Sequence, residues 1–270
     1  MPRCMPCGGG LSPARNAVKA LPARDGACCT RGAVCKAKTA RAAAQRKIVS
    51  WAVVPYRGGM TGPGESSADI LLQTPGVQRS PFPKLELFQL RGFLPPALCV
   101  ELIALIDADR RPSTIADPNG DDSFRTSETC DLDPAHPAVR DLESRLFALN
   151  GIDPAYGEPV QGQRYAVGQE FKAHTDYFEP NGADWGKYCA VAGQRTWTFM
   201  VYLNDVEAGG GTRFGVPKKL IQPETGKLLA WNNMRPDGRP NPNTLHHGMK
   251  VRQGAKYVIT KWYREKEWGW

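Results

Sequence analysis

The chain has four histidines, and three of them, His174, His246 and His247, lie beyond residue 163. In Phe171-Lys172-Ala173-His174-Thr175-Asp176 the imidazole and the carboxylate stand two residues apart, so on a strand both project from one face. A neutral imidazole and a carboxylate so placed can take adjacent positions around a metal. His246 supplies a third ligand. Two histidines and one carboxylate occupy one face of an Fe(II) and leave the opposite face open to substrates. His247 competes for the role, and whichever of the pair faces the metal, its neighbour faces away. His136 precedes an expected helix and reads as an exposed or capping residue. Ten residues past His246, beyond a turn at Gln253-Gly254, stands Lys256. A hairpin joining these runs sets Lys256 beside Val251, ~16 Å from His246 between backbones. Imidazole, metal, a five-carbon diacid and a lysine stem laid end to end span that gap. Lys256 can then pair with the far carboxylate of 2-oxoglutarate while the keto-acid end chelates iron.

The elements that must position these groups are short. Beyond Gln163 the runs 163–167, 170–176, 196–204, 218–221, 227–232, 244–251 and 256–263 are rich in β-formers and separated by Gly, Asn, Pro and Asp. Many short strands with turn signals predict a β-sandwich or barrel. Ahead of them, Leu85–Leu90 alternates as a half-buried strand. Pro95 and Pro96 open a helix whose Leu98, Leu102, Leu105 and Ile106 share one face and which ends before Pro112. A second helix is expected from Pro137 to Leu149, with Val139, Leu142, Leu146 and Leu149 inward.

Charge divides the chain. Residues 1–60 hold eleven lysines and arginines against a single acid, Asp25, so they carry +10 where the whole carries +8. The remainder is slightly acidic, which argues against a nucleic-acid partner for the body. The first 60 residues show no sustained period and are expected to be a disordered basic tail, with translation of the working protein starting at Met60. Residues 61–82 read as a linker and 83–270 as the catalytic domain. Five of the eight cysteines fall in the tail, and Cys4-x-x-Cys7 has no matching second pair for a zinc site. Cys99, Cys130 and Cys189 form no paired framework, so reduced thiols and a cytoplasmic setting are expected. No stretch approaches the ~20 apolar residues that cross a bilayer, and a soluble protein without a membrane partner is expected.

Taken in order, Arg164-Tyr165, Gly168-Gln169, His174-x-Asp176, Gln194-Arg195 leading to Thr198, Tyr202-Leu203-Asn204-Asp205, Gly209-Gly210 with Thr212 and Phe214, and His246-x-Gly248 with Lys256, Thr260, Lys261 and Trp262 resemble the prolyl 4-hydroxylase family of Fe(II)/2-oxoglutarate dioxygenases. The resemblance covers roughly 85–264. It implies a mainly β fold, a double-stranded β-helix of jelly-roll type with supporting N-terminal helices. It implies His174, Asp176 and His246 as iron ligands, which sets His247 aside. It further implies Lys256 as partner of the 2-oxoglutarate carboxylate, Tyr165 and Thr198 as hydrogen-bonding partners of the same cosubstrate, and Trp262 as a pocket wall. The implied reaction hydroxylates a C–H bond, foremost of a prolyl residue in a peptide or protein, with O2 consumed, succinate and CO2 released, and L-ascorbate as reductant. His247-Gly248-Met249-Lys250 and the length of the loop 176–195 depart from the family pattern, so a free amino acid or another small molecule stays open as substrate. A nucleic-acid demethylase or a non-enzymatic jelly-roll binding protein is the more distant alternative.

Overall fold

The computed structural model describes residues 62–114, 123–180, 182 and 185–269. The expected tail and its cysteines lie outside them. Residues 62–82, expected as a linker, instead carry helix α1 (Ser67–Gln73) and strand β1 (Gln78–Arg79). Leu71 is fully buried, Ser67 Oγ donates to the Asn150 carbonyl at 2.7 Å, and Trp197 Nε1 donates to the Gly64 carbonyl at 3.0 Å. Two turns of helix between Gly, Pro and Ser are too brief for a hydrophobic period to register, yet their contacts make this segment part of the core.

The chain continues through β2 (Leu87–Leu90), α2 (Pro96–Ala108), β3 (Arg111–Pro112), β4 (Glu128–Asp131) and α3 (Pro137–Asn150). There follow β5 (Gln161–Tyr165), β6 (Phe171–His174), α4 (Trp185–Tyr188), β7 (Arg195–Tyr202), β8 (Ala208–Gly209) and β9 (Thr212–Phe214). The last elements are β10 (Lys219–Ile221), β11 (Leu228–Asn232), β12 (His246–Gly248), β13 (Val251–Gln253) and β14 (Lys256–Arg264). Both long helices fall where the periodicity put them. Pro96 and Pro137 stand at their N-termini, where a missing N–H costs nothing, and His136 caps α3 by accepting from the Ala138 N–H at 3.2 Å.

All strand pairs are antiparallel. Eight strands form one sheet in the order β1-β2-β11-β7-β14-β5-β4-β3, four form a second in the order β10-β9-β12-β6, and β13 pairs with β8. This is a jelly roll. Alternation along the central strands divides the large sheet into two faces. Phe88, Trp197, Phe199, Val201, Leu228, Ala230, Ile259 and Tyr263 join the helices in one core. Leu87, Tyr165, Met200, Tyr202, Leu229, Trp231 and Val258 point the other way, to Phe214 and Ile221 of the small sheet. Each such side chain, once buried, contributes about 1.5–3 kcal/mol. Gly162 permits the helix layer to close on the sheet: a Cβ there would lie 2.3 Å from Ile106 Cγ1.

The expected hairpin between His246 and Lys256 does not form. The run 244–251 divides into β12, which stays in the small sheet, and β13, which pairs with β8; after Gly254, at φ +80°, β14 enters the large sheet between β5 and β7. Lys256 therefore faces the small sheet from across the sandwich rather than along one sheet. Strands of two to four residues, such as β4, β8 and β9, are too short to show alternation, which is why the sequence does not announce them. Among the described residues no helix is long and apolar enough to cross a membrane.

Candidate metal centre and its pocket

His174 ends β6 and His246 opens β12, and antiparallel pairing sets them directly opposite one another. Asp176 follows two residues after His174, on the same face. One ligand atom from each of the three lies within 4.8 Å of the other two. Each imidazole has its Nδ1 on a backbone carbonyl, His174 on Lys172 at 2.8 Å and His246 on Thr244 at 2.9 Å. A carbonyl only accepts, so both Nδ1 atoms carry a proton, and the tautomer this selects turns the Nε2 lone pair to a metal. Burial and the neighbouring His246 push the His174 imidazolium down to about 3, so this ring is neutral at ordinary pH. Phe171 stacks on His174 at 3.5 Å between centroids, and Trp231 meets His246 edge-on at 4.8 Å. These rings fix the imidazoles without competing as ligands. Two imidazole nitrogens and one carboxylate oxygen converging in this way fit a divalent iron.

Asp176 is 6% exposed. Burial alone would raise its carboxyl, but the histidines, Arg195 and the Thr198 hydroxyl hold it below the usual aspartate value. Thr198 Oγ1 donates to Asp176 Oδ2 at 2.7 Å and accepts from Asn233 Nδ2 at 2.9 Å. This differs from the expectation that Thr198 bonds the cosubstrate. Its single proton is committed to the carboxylate. Arg195 is gripped by Glu158 through two bonds of 2.6 and 2.7 Å, lies 4.0 Å over the Trp262 ring and reaches the Asp176 carbonyl at 3.4 Å. Arg264 Nη1 joins the same glutamate at 3.1 Å. The Glu158 clamp thus fixes both the backbone that follows the metal ligands and the Trp262 wall.

The triad opens into a pocket also lined by Gln163, Tyr165, Phe171, Met200, Thr212, Trp231, Gly248, Lys256, Thr260 and Trp262. Lys256, 2% exposed, enters from β14, and a Cβ placed on Gly248 would lie 3.7 Å from its Nζ. Its ammonium lies 4.6 Å from the Tyr165 ring centroid and 5.7 Å from that of Tyr202. Among the described residues no carboxylate pairs with it, and burial pulls the amine down to about 7. Trp262 lines the pocket, and so does Tyr165, whose hydroxyl, expected to bond the cosubstrate, here donates to Gln163 Oε1 at 2.7 Å. The indole N–H groups of Trp231 and Trp262 are buried without a partner among the described residues. His247 points out of the site, its Nε2 2.9 Å from Glu170 Oε2. A larger cleft of about 1220 Å³, bordered by Trp197, Glu86 and Arg235, contains no member of the triad. Gln163, Asn233 and Glu158 also belong to the site and are not among the residues singled out by the sequence. Gln163 was accessible to it, two residues before Tyr165 and therefore on the same face; Asn233 and Glu158 carry no local signal.

Over residues 160–264 the sequence matches the family model of the 2OG-Fe(II) oxygenase superfamily. It is 31% identical over 203 residues to probable prolyl 4-hydroxylase 10 of Arabidopsis thaliana, covering 66% of this chain and 68% of that protein. The chain belongs to the prolyl 4-hydroxylase family. With human prolyl 4-hydroxylase subunit alpha-3 it shares 34% identity over 145 residues, 53% of this chain and 26% of that subunit, so it spans about a quarter of that relative's length. A viral collagen prolyl hydroxylase from Paramecium bursaria Chlorella virus-1, solved as a 2OG complex, matches at TM-score 0.53 and 29% identity over 66% of this chain and 95% of that one. The family matched is one of 2OG-Fe(II) oxygenases, and the donor set above fits such a metal.

Proposed function

We propose that this protein hydroxylates prolyl residues of a peptide or protein, using Fe(II), 2-oxoglutarate and O2. The observation that carries the reading is a buried, unpaired lysine facing a convergent two-histidine, one-carboxylate set within one pocket. His174, Asp176 and His246 would hold the iron through one side of its coordination sphere. Bound iron supplies the activation of O2 that couples oxidative decarboxylation of 2-oxoglutarate to C–H hydroxylation. Lys256 draws the distal carboxylate of the cosubstrate, a charge-assisted contact made stronger by the dry surroundings of Tyr165 and Tyr202. Trp231, Trp262 and Phe171 exclude water from the reacting centre. L-ascorbate is the proposed external reductant. The buried free thiols Cys99, Cys130 and Cys189 support a reducing, cytoplasmic setting.

The test is anaerobic titration of the purified protein with Fe(II) and 2-oxoglutarate, followed by aerobic assay of proline-containing peptides and free proline. The expected results are the visible band of the iron chelate, succinate release, and a peptide heavier by one oxygen. A normal band with oxidation of free proline alone would move the substrate to a free amino acid. Failure to form the band would remove the dioxygenase reading.

A further inference from the structure

We propose that Thr198 and Asn233 form a positioning relay that makes Asp176 a one-oxygen ligand, with Oδ2 held by the protein and Oδ1 offered to the metal. The proposal rests on the iron-site reading and adds residues outside the ligand set. Both relay residues are fully buried, and neither lines the pocket. Thr198 lies on β7 opposite Trp231 of β11, and Asn233 follows β11 directly.

The direction of the chain of bonds follows from Asp176. An ionised carboxylate accepts only, so the Thr198 proton goes to Oδ2; a hydroxyl has one proton, so the contact from Asn233 must be its amide N–H donating to Thr198 Oγ1. Asn233 is fixed in turn by its backbone, whose N–H donates to the Thr196 carbonyl at 2.7 Å and whose carbonyl accepts from the Asn241 N–H at 2.8 Å. With Oδ2 engaged, Oδ1 is the oxygen near His174, 3.7 Å from its Nε2. A carboxylate free to turn could close a second oxygen onto the metal and occupy a position that a chelating cosubstrate needs. The relay prevents this by restraining the carboxylate, and it acts only through Asp176.

The experiment uses the full chain with Mn(II) as the probe. Affinity is measured by calorimetry, metal-bound water by proton relaxation, and folding by thermal melts of the metal-free protein. Thr198→Val nearly keeps the shape and removes the donor. Its Mn(II) affinity is expected to fall about 10–100-fold, with a lower relaxation enhancement per bound metal as the released oxygen displaces water. Thr198→Ser keeps the hydroxyl and is expected to match the wild type in both. Asn233→Leu, which leaves the Thr198 proton but removes what orients it, is expected to fall between them. Wild-type affinity and relaxation in Thr198→Val would overturn the relay, as would an equal loss in Thr198→Ser, which would point to packing. If Thr198→Val does not fold, Asn233→Leu decides, and wild-type behaviour there overturns the proposal. Absence of Mn(II) binding by the wild-type protein would overturn the iron-site reading and the relay with it.

Discussion

Lys256 and Lys261 share β14, and both are at most 2% exposed, but they stand five positions apart, an odd offset. One therefore enters the pocket and the other the helix layer. Lys261 meets Glu143 of α3 at 2.6 Å; burial lowers its amine and the glutamate counters that effect. Among the described residues Lys256 has aromatic faces and no carboxylate beside its ammonium, and burial acts on it unopposed. Where a buried cation serves structure, the fold gives it a counter-charge. Among the described residues Lys256 is given none, as the proposed pairing with a ligand carboxylate requires.

The largest change expected from breaking this comparison is on the metal side of the pocket. His174→Ala, Asp176→Ala or His246→Ala each removes one of three ligands, and iron binding and turnover should both be lost, as read by metal content and succinate release. Next comes Lys256→Met. Loss of a charge-assisted pair in a dry pocket costs roughly 2–5 kcal/mol, so the 2-oxoglutarate requirement should rise at least ~30-fold with iron affinity unchanged. The same substitution should stabilise the ligand-free protein, because an uncompensated buried charge is removed. Lys261→Met should do the reverse. It strands the Glu143 carboxylate and should cost about 3 kcal/mol in denaturant unfolding, with 2-oxoglutarate dependence unaltered. Equal effects of the two substitutions on cosubstrate binding would erase the distinction between the faces.

Titration sharpens the same contrast. The Lys256 amine falls from an ordinary 10.5 to about 7 on folding, so between those values the unfolded chain binds more protons than the folded one. Its burial cost is fully present below about pH 7 and is relieved as pH rises, so ligand-free stability should gain up to about 1.4 kcal/mol per pH unit above neutrality. Lys256→Met should flatten that slope in unfolding measured from pH 7 to 10. The smallest effect is expected from His247→Ala. This ring bonds a partly exposed Glu170 on the outer face, so its loss should change stability by less than about 1 kcal/mol and leave iron content intact.

How much of this was legible in advance varies with the range of the signal. The two long helices, the central strands and the face shared by His174 and Asp176 follow from periods of 3.6 and 2, which need only neighbouring residues. His246 and Lys256 were accessible because their order and spacing resemble a known family. Helix α1 was not, since seven residues hold too little period to separate a helix from a linker. The strand runs were located within about two residues at most ends, but their partners were not, and the assumed hairpin placed Lys256 along the sheet of His246 instead of across from it.

The sequence by itself thus determined which side chains share a face and which donor types could gather, because covalent spacing fixes both. Tertiary structure decided which faces meet. Strand pairing set His246 opposite His174, and the crossing after Gly254 brought Lys256 in from the opposing sheet. Thr198 was turned to the Asp176 carboxylate instead of the cosubstrate, and Glu158, Arg195 and Asn233 were drawn from distant segments to the edge of the metal site. Contacts between residues far apart in the chain depend on register and sheet order, and those are settled by burial of the whole core rather than by any local run of sequence.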